Sequence, residues 1–107
     1  MKTDFFIFTA GQAGIIPETG KIIDGGIENE TRQTLTNIKS ILEAAGSSLQ
    51  RVVKTTVFLR DMNEFGRMNG VYAEFFPENP PARSTVQVAA LPMGVAVEIE
   101  AIALVGG

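Results

Sequence analysis

A 107-residue chain with no His and no Cys has few side chains left that can do chemistry. Thiolate nucleophiles, disulfides, zinc sites of the usual kind and imidazole acid/base catalysis are excluded. Carboxylates, Arg, Lys, hydroxyls and backbone amides remain. Among these Arg83 stands out, because it follows the proline-rich run Pro77-Glu78-Asn79-Pro80-Pro81-Ala82 and opens a strand. A rigid approach of this kind fixes a guanidinium, and a fixed fork suits bidentate binding of a carboxylate. The alternative is a structural Arg paired with an acidic neighbour. Glu98 and Glu100 lie two apart on one strand and so share a face, where such a pair can supply a general acid or base. Alternation leaves open which of the two lines a pocket, and solvated edge carboxylates are the other reading. Gly11 and Gly14 lack the spacing and the following helix of a phosphate-binding loop and read as turn or bulge positions. The seven Phe residues, Asn69 and Tyr72 fall on or beside periodic apolar faces and read as packing.

The elements that must hold these residues can be traced from periodicity. Phe5 to Ala10 is aromatic and β-branched, Pro17-Glu18-Thr19-Gly20 is a strong turn signal, and Lys21-Ile22-Ile23 follows, a pattern that predicts a β-hairpin. Ile27, Leu35, Ile38, Ile41, Leu42 and Ala45 then recur on one helical face, predicting a helix from about residue 28 to 45 with Gly46 as its left-handed C-cap. Val52 to Leu59 reads as a strand. Asp61 can cap a following helix, with Glu64 as its capping-box partner, and Met62, Phe65, Met68 or Asn69, Tyr72 and Phe75 or Phe76 carry that helix to its stop at Pro77, Pro80 and Pro81. Strands over about Ser84 to Leu91 and Val95 to Val105 flank the turn Pro92-Met93-Gly94. The expected fold is α+β in the order β-β-α-β-α-β-β, one mixed sheet packed on one face by two helices.

The last strand is informative about assembly. Val95, Val97, Ile99, Ala101 and Ala103 form a wholly apolar face suited to lie under helices. The opposite face reads Ala96, Glu98, Glu100, Ile102, Leu104, too apolar at one end for water. Burial against another copy of the chain is expected, with an ordinary solvated face as the alternative.

Composition sets the class. Hydrophobic residues make up 45% and charged residues 20%, which is globular, and the length suits a single domain over residues 1–107. Nine basic residues against twelve acidic ones, scattered and with a net charge of −3, argue against nucleic acid as a main partner. Phe5 to Phe8 is too short for a membrane span and lacks signal-peptide character, so the cytoplasm is the expected compartment.

Several segments together, Thr9-Ala10-Gly11-Gln12, Pro17-Glu18-Thr19-Gly20, Val53-Lys54-Thr55-Thr56-Val57-Phe58, Asn69-Gly70-Val71-Tyr72, Pro81-Ala82-Arg83-Ser84-Thr85 and Val97-Glu98-Ile99-Glu100-Ala101-Ile102-Ala103, resemble the RidA/YjgF/YER057c/UK114 family. The resemblance is collinear from about Phe6 to the C-terminus. It implies a chorismate-mutase-like fold assembled as a homotrimer, with a ligand cleft between each pair of subunits. It also implies hydrolysis of reactive enamines and imines such as 2-aminoacrylate and 2-iminobutanoate to 2-keto acids and ammonia, with no metal or cofactor. Carried over by motif, Arg83 clamps the substrate carboxylate, the Thr85 amide and the Gly11 segment help hold it, Asn69 lines the cleft, and Glu98, in preference to Glu100, places or activates water. A non-catalytic trimer that binds small carboxylates or acts as a chaperone-like module is the competing reading. Ribonuclease behaviour is the weakest, given the acidic balance and the lack of His. The family's usual N-terminal strand, with its Gly-Pro-Tyr stretch, has no counterpart here, and Ala10 stands where Ser is frequent.

Overall fold

The computed structural model describes residues 1 to 106. Along them run strand β1 (Phe6–Phe8), the short strands β2 (Ile15–Ile16) and β3 (Lys21–Ile22), helix α1 (Gly26–Ala44), strand β4 (Val52–Leu59), helix α2 (Phe65–Phe75), and strands β5 (Ala82–Gln87) and β6 (Val97–Leu104). One mixed sheet has the order β1-β6-β4-β5. β6 is antiparallel to both neighbours, and β4 and β5 are parallel. The parallel pair is possible because α2 supplies the long crossover such a connection requires. The α+β class, with two helices on one face of a mixed sheet, is therefore as expected.

Helix α1 forms where apolar residues recur at helical spacing. Ile27, Leu35, Ile38 and Leu42 are fully buried with Thr31 and Thr34 between them, giving the apolar stripe a core-facing helix needs. It stops as predicted: Gly46 takes φ +83°, its N–H donates to Glu43 O at 3.1 Å and the Ser47 N–H donates to Leu42 O at 2.8 Å. That closes a Schellman motif, which favours Gly because its left-handed conformation crowds a Cβ. Under the helices β6 presents Val97, Ile99, Ala101 and Ala103, all buried, while Glu98, Glu100, Ile102 and Leu104 are half-buried on the uncovered face.

Three expectations need correction. The first hairpin is β2 with β3 around Pro17–Gly20, whereas β1 pairs with β6 through Phe6↔Leu104, Ile7↔Ala103 and Phe8↔Ile102. The order thus gains a strand, because β1 found its partner at the far end of the chain. The Asp61 carboxylate does cap, accepting from Asn63 N at 2.9 Å, but Glu64 does not complete the box. Its carboxylate faces Arg60 at 3.8 Å and Arg67 at 3.6 Å, and Met62–Glu64 forms a 3₁₀ turn ahead of α2. Finally, β5 ends at Gln87 and not near Leu91. Its partner β4 stops at Leu59, so after Val88 N donates to Leu59 O at 3.0 Å there is no ladder left to join. No helix among the described residues is long and apolar enough to cross a membrane.

Candidate functional site

Arg83 sits on edge strand β5 opposite Thr55 of β4. Residues in register share a face, and Thr55 is buried under the helices, so Arg83 lies on the helix side of the sheet. There α2 provides its surroundings. The guanidinium carbon stands 4.6 Å from the Tyr72 ring centroid and 5.3 Å from that of Phe65, and Nη1 donates to Asn69 Oδ1 at 2.7 Å. Phe65, Asn69 and Tyr72 are four and three residues apart, which puts all three on one helical face. Stacking on two rings and one amide bond hold a planar cation without neutralising it. No carboxylate of the described residues pairs with it, which removes the reading of Arg83 as one half of a structural ion pair. Asn69, Tyr72, Phe76, Pro80, Pro81 and Arg83 line a cavity of about 380 Å³.

Tyr72 is itself fixed. Its hydroxyl shares a 2.7 Å hydrogen bond with Thr55 Oγ1, and Phe76 packs on its ring at 4.8 Å between centroids. Burial pushes the phenol above its ordinary range, opposed by the Thr55 hydrogen bond and the Arg83 charge. Thr85 lies two residues beyond Arg83 on the same face, and its Oγ1 is buried without a hydrogen-bond partner.

Glu98 is elsewhere. It pairs in register with Phe58 on the uncovered face, so the sheet separates it from Arg83. Gly11 lies directly against it: a Cβ at that position would come 2.8 Å from Glu98 Cδ, so only glycine lets the chain pass there without displacing the carboxylate. A cavity of about 520 Å³ opens from Glu98 and Gly11 past Pro92, Met93 and Ile15 to Ile41 on α1. Glu100, on the same face, lines a different and smaller hollow beside Lys54 and Thr56. Within one chain the proposed site residues therefore form two groups, Arg83 with Asn69 and Thr85, and Glu98 with Gly11. Neither cavity contains both charges.

Sequence reasoning missed three contributors. Tyr72 and Phe65 read as core, although their spacing around Asn69 was a usable signal. Glu30 gave no signal, since a carboxylate amid the polar positions of an amphipathic helix looks solvated; it is buried and accepts from Ala96 N at 2.9 Å.

The chain is similar to several known proteins. Residues 1–105 match the family described as endoribonuclease L-PSP. A RutC family protein of Pyrococcus horikoshii is 57% identical over 103 residues, 96% of this chain and 82% of that one. The 2-iminobutanoate/2-iminopropanoate deaminase of Mus musculus is 48% identical over 106 residues, 99% of this chain and 78% of the mouse protein. Among solved structures, Escherichia coli TdcF with bound serine superposes with a TM-score of 0.92 at 42% identity, covering 97% of this chain and 84% of TdcF. The fold is thus one shared by a group of small α+β proteins, and the chain belongs to the RidA/YjgF family, whose matched description is endoribonuclease L-PSP.

Proposed function

We propose that this chain hydrolyses 2-imino and 2-enamine acids, such as 2-iminobutanoate and 2-aminoacrylate, to 2-keto acids and ammonia as a cytoplasmic homotrimer. The observation that carries this reading is Arg83, a guanidinium stacked between two rings, free of any acidic partner among the described residues and open to a cavity. Such a group orients a carboxylate without being neutralised by the protein. Support also comes from the mouse deaminase at 48% identity and from TdcF, whose structure holds the amino acid serine.

In the proposed reaction Arg83 holds the substrate carboxylate, with Asn69 fixing the guanidinium and the Thr85 amide and Gly11 segment completing the grip. An enamine first becomes the imine as a proton moves from nitrogen to its terminal carbon. Glu98 then takes a proton from water as the water oxygen bonds to the imine carbon, and delivers it to nitrogen to give a carbinolamine; moving the hydroxyl proton to nitrogen next lets the carbonyl form as the carbon–nitrogen bond breaks and ammonia leaves. A placed carboxylate contributes roughly 10² to 10⁴-fold to such a step. The separation of Arg83 from Glu98 within one chain gives the trimer its role, for each cleft takes its guanidinium from one copy and its carboxylate from the next. Phe6, Phe8 and Val86, each 38–43% exposed, lie on the face or edge available to those copies.

The test is the rate of ammonia or 2-ketobutanoate release from enzymatically generated 2-iminobutanoate, wild type against Arg83→Ala. The expected result is an acceleration lost in the variant. Acceleration that survives Arg83→Ala sinks the mechanism. The same separation of charges favours a second reading, a carboxylate-binding module without turnover, which predicts 2-keto acid binding and no acceleration from a folded trimer.

A further inference from the structure

Among the described residues Glu30 is the sole charged side chain that is buried, at 8% exposure, and no cation pairs with it. A carboxylate in that position is costly unless hydrogen bonds compensate it. Its Oε1 accepts from the backbone N–H of Ala96 at 2.9 Å, a contact across 66 positions of sequence. The carbonyl of the same Ala96 accepts from Arg60 N at 3.0 Å. Three residues further on, Ile99 and Gln12 exchange both backbone hydrogen bonds at 2.8 and 2.9 Å. Glu98 lies between these two clamps.

Glu30 also touches the segment that faces Glu98 from the other side. A Cβ at Gly14 would come within 2.7 Å of Glu30 Cα, so the chain at Gly14, three residues after Gly11, rests against this turn of α1. Just before Ala96, Met93 holds φ +61° in the turn Pro92–Gly94, a conformation that persists only where the surroundings over-determine it. Val95 N closes the turn on Pro92 O at 3.3 Å, and the Glu30 bond to the next residue then ties the chain to α1.

We propose that Glu30 is a positioning residue: by anchoring Ala96 it sets where Glu98 enters the cavity beside Gly11. The proposal rests on the deaminase reading, in which Glu98 handles the attacking water. An error of about 1 Å in such a group costs on the order of 10²-fold in rate. What Glu30 supplies is a strong hydrogen-bond acceptor at a fixed point, which Gln can also supply and Met, of similar length but with only a weakly accepting thioether, does not.

The experiment compares wild type, Glu30→Met and Glu30→Gln as purified trimers, with Glu30→Ala as a second acceptor-free variant should the Met form not fold. Steady-state hydrolysis of 2-iminobutanoate gives kcat and KM, titration with 2-ketobutanoate gives a Kd, and NMR reads the Glu98 to Gly11 proton contact. Loss of the acceptor should lower kcat about tenfold or more and weaken the Glu98–Gly11 contact. Kd should stay within roughly twofold, because the Arg83 group that supplies orientation is untouched. Glu30→Gln should restore both kcat and the contact. A folded acceptor-free variant with wild-type kcat and an unchanged contact overturns the proposal, as does a Gln variant as impaired as the Met one. If the wild-type protein shows no hydrolysis, the deaminase reading falls and the proton contact decides alone. Lost in Met and kept in Gln, it supports positioning; unchanged in Met, it refutes it.

Discussion

Tyr72 ties stability to the site through one oxygen. Its hydroxyl satisfies Thr55 Oγ1, which is 1% exposed, while its ring carries the Arg83 guanidinium. Tyr72→Phe keeps the ring and strands the Thr55 hydroxyl, so it should cost about 1–3 kcal/mol in denaturant unfolding while leaving carboxylate binding largely intact. The pH dependence has a definite sign. Burial raises the folded-state pKa of Tyr72, so its contribution is complete below the ordinary phenol value of about 10 and is lost as pH climbs from there through the raised folded value. Tyr72 is the one Tyr in the chain. Phenolate absorbance therefore reports it alone, and ionisation should appear later in the folded protein than in denaturant. Titration at the same pH in both states would contradict the burial argument.

At the scale of elements, Asp61 caps the 3₁₀ turn that leads into α2, and α2 carries Phe65, Asn69 and Tyr72 to Arg83. Because the capping box is half-formed, a single hydrogen bond from Asn63 N is at stake. Asp61→Ala should cost about 1 kcal/mol, within the 0.5–2 usual for an N-cap, measured as a shift in urea midpoint at unchanged slope. An effect below about 0.3 kcal/mol would mean that the tertiary contacts of the 3₁₀ turn, including Met62 N donating to Gln87 Oε1 at 2.7 Å, hold α2 without help. The bidentate pair of Arg67 with Glu28, at 2.9 and 3.0 Å, also joins α1 to α2. It is exposed to solvent on the surface and therefore contributes little.

At the scale of the whole molecule, one sheet face is covered by helices and the other is not. Phe8 projects from that second face beside Ile102, its partner in register, at 40% exposure. A charge there is tolerable in a monomer and costly between packed copies. In the proposed trimer that face packs against the other copies, so Phe8→Glu should keep the circular dichroism of the wild type while light scattering reports a single 11.5 kDa chain in place of the assembly. Imine hydrolysis should disappear with the assembly, since one chain offers the two charged groups in separate cavities. A wild-type protein that is monomeric in solution and still active would refute the inter-subunit cleft.

What could be read from the sequence is what local chemistry controls. The α1 stripe and its Gly46 stop, the β4 strand at Val52–Leu59, the alternation of β6 and the proline-rich approach to Arg83 are each specified within a few residues, and each appears where expected. The family was legible for the same reason, as motifs around Gly11, Asn69, Arg83 and Glu98 keep their order. Long-range pairing was not legible. That β1 joins β6 and leaves the hairpin to β2 and β3 depends on which strands meet after collapse, and nothing near Phe6 encodes Leu104 as its partner. Equally, nothing near Glu30 announces Ala96, 66 residues away, and nothing in the spacing of Arg83 and Glu98 says that a sheet stands between them. Periodicity reports which face of an element is apolar. Only the packed sheet decides which polar groups are drawn inside, and which charges end on opposite faces.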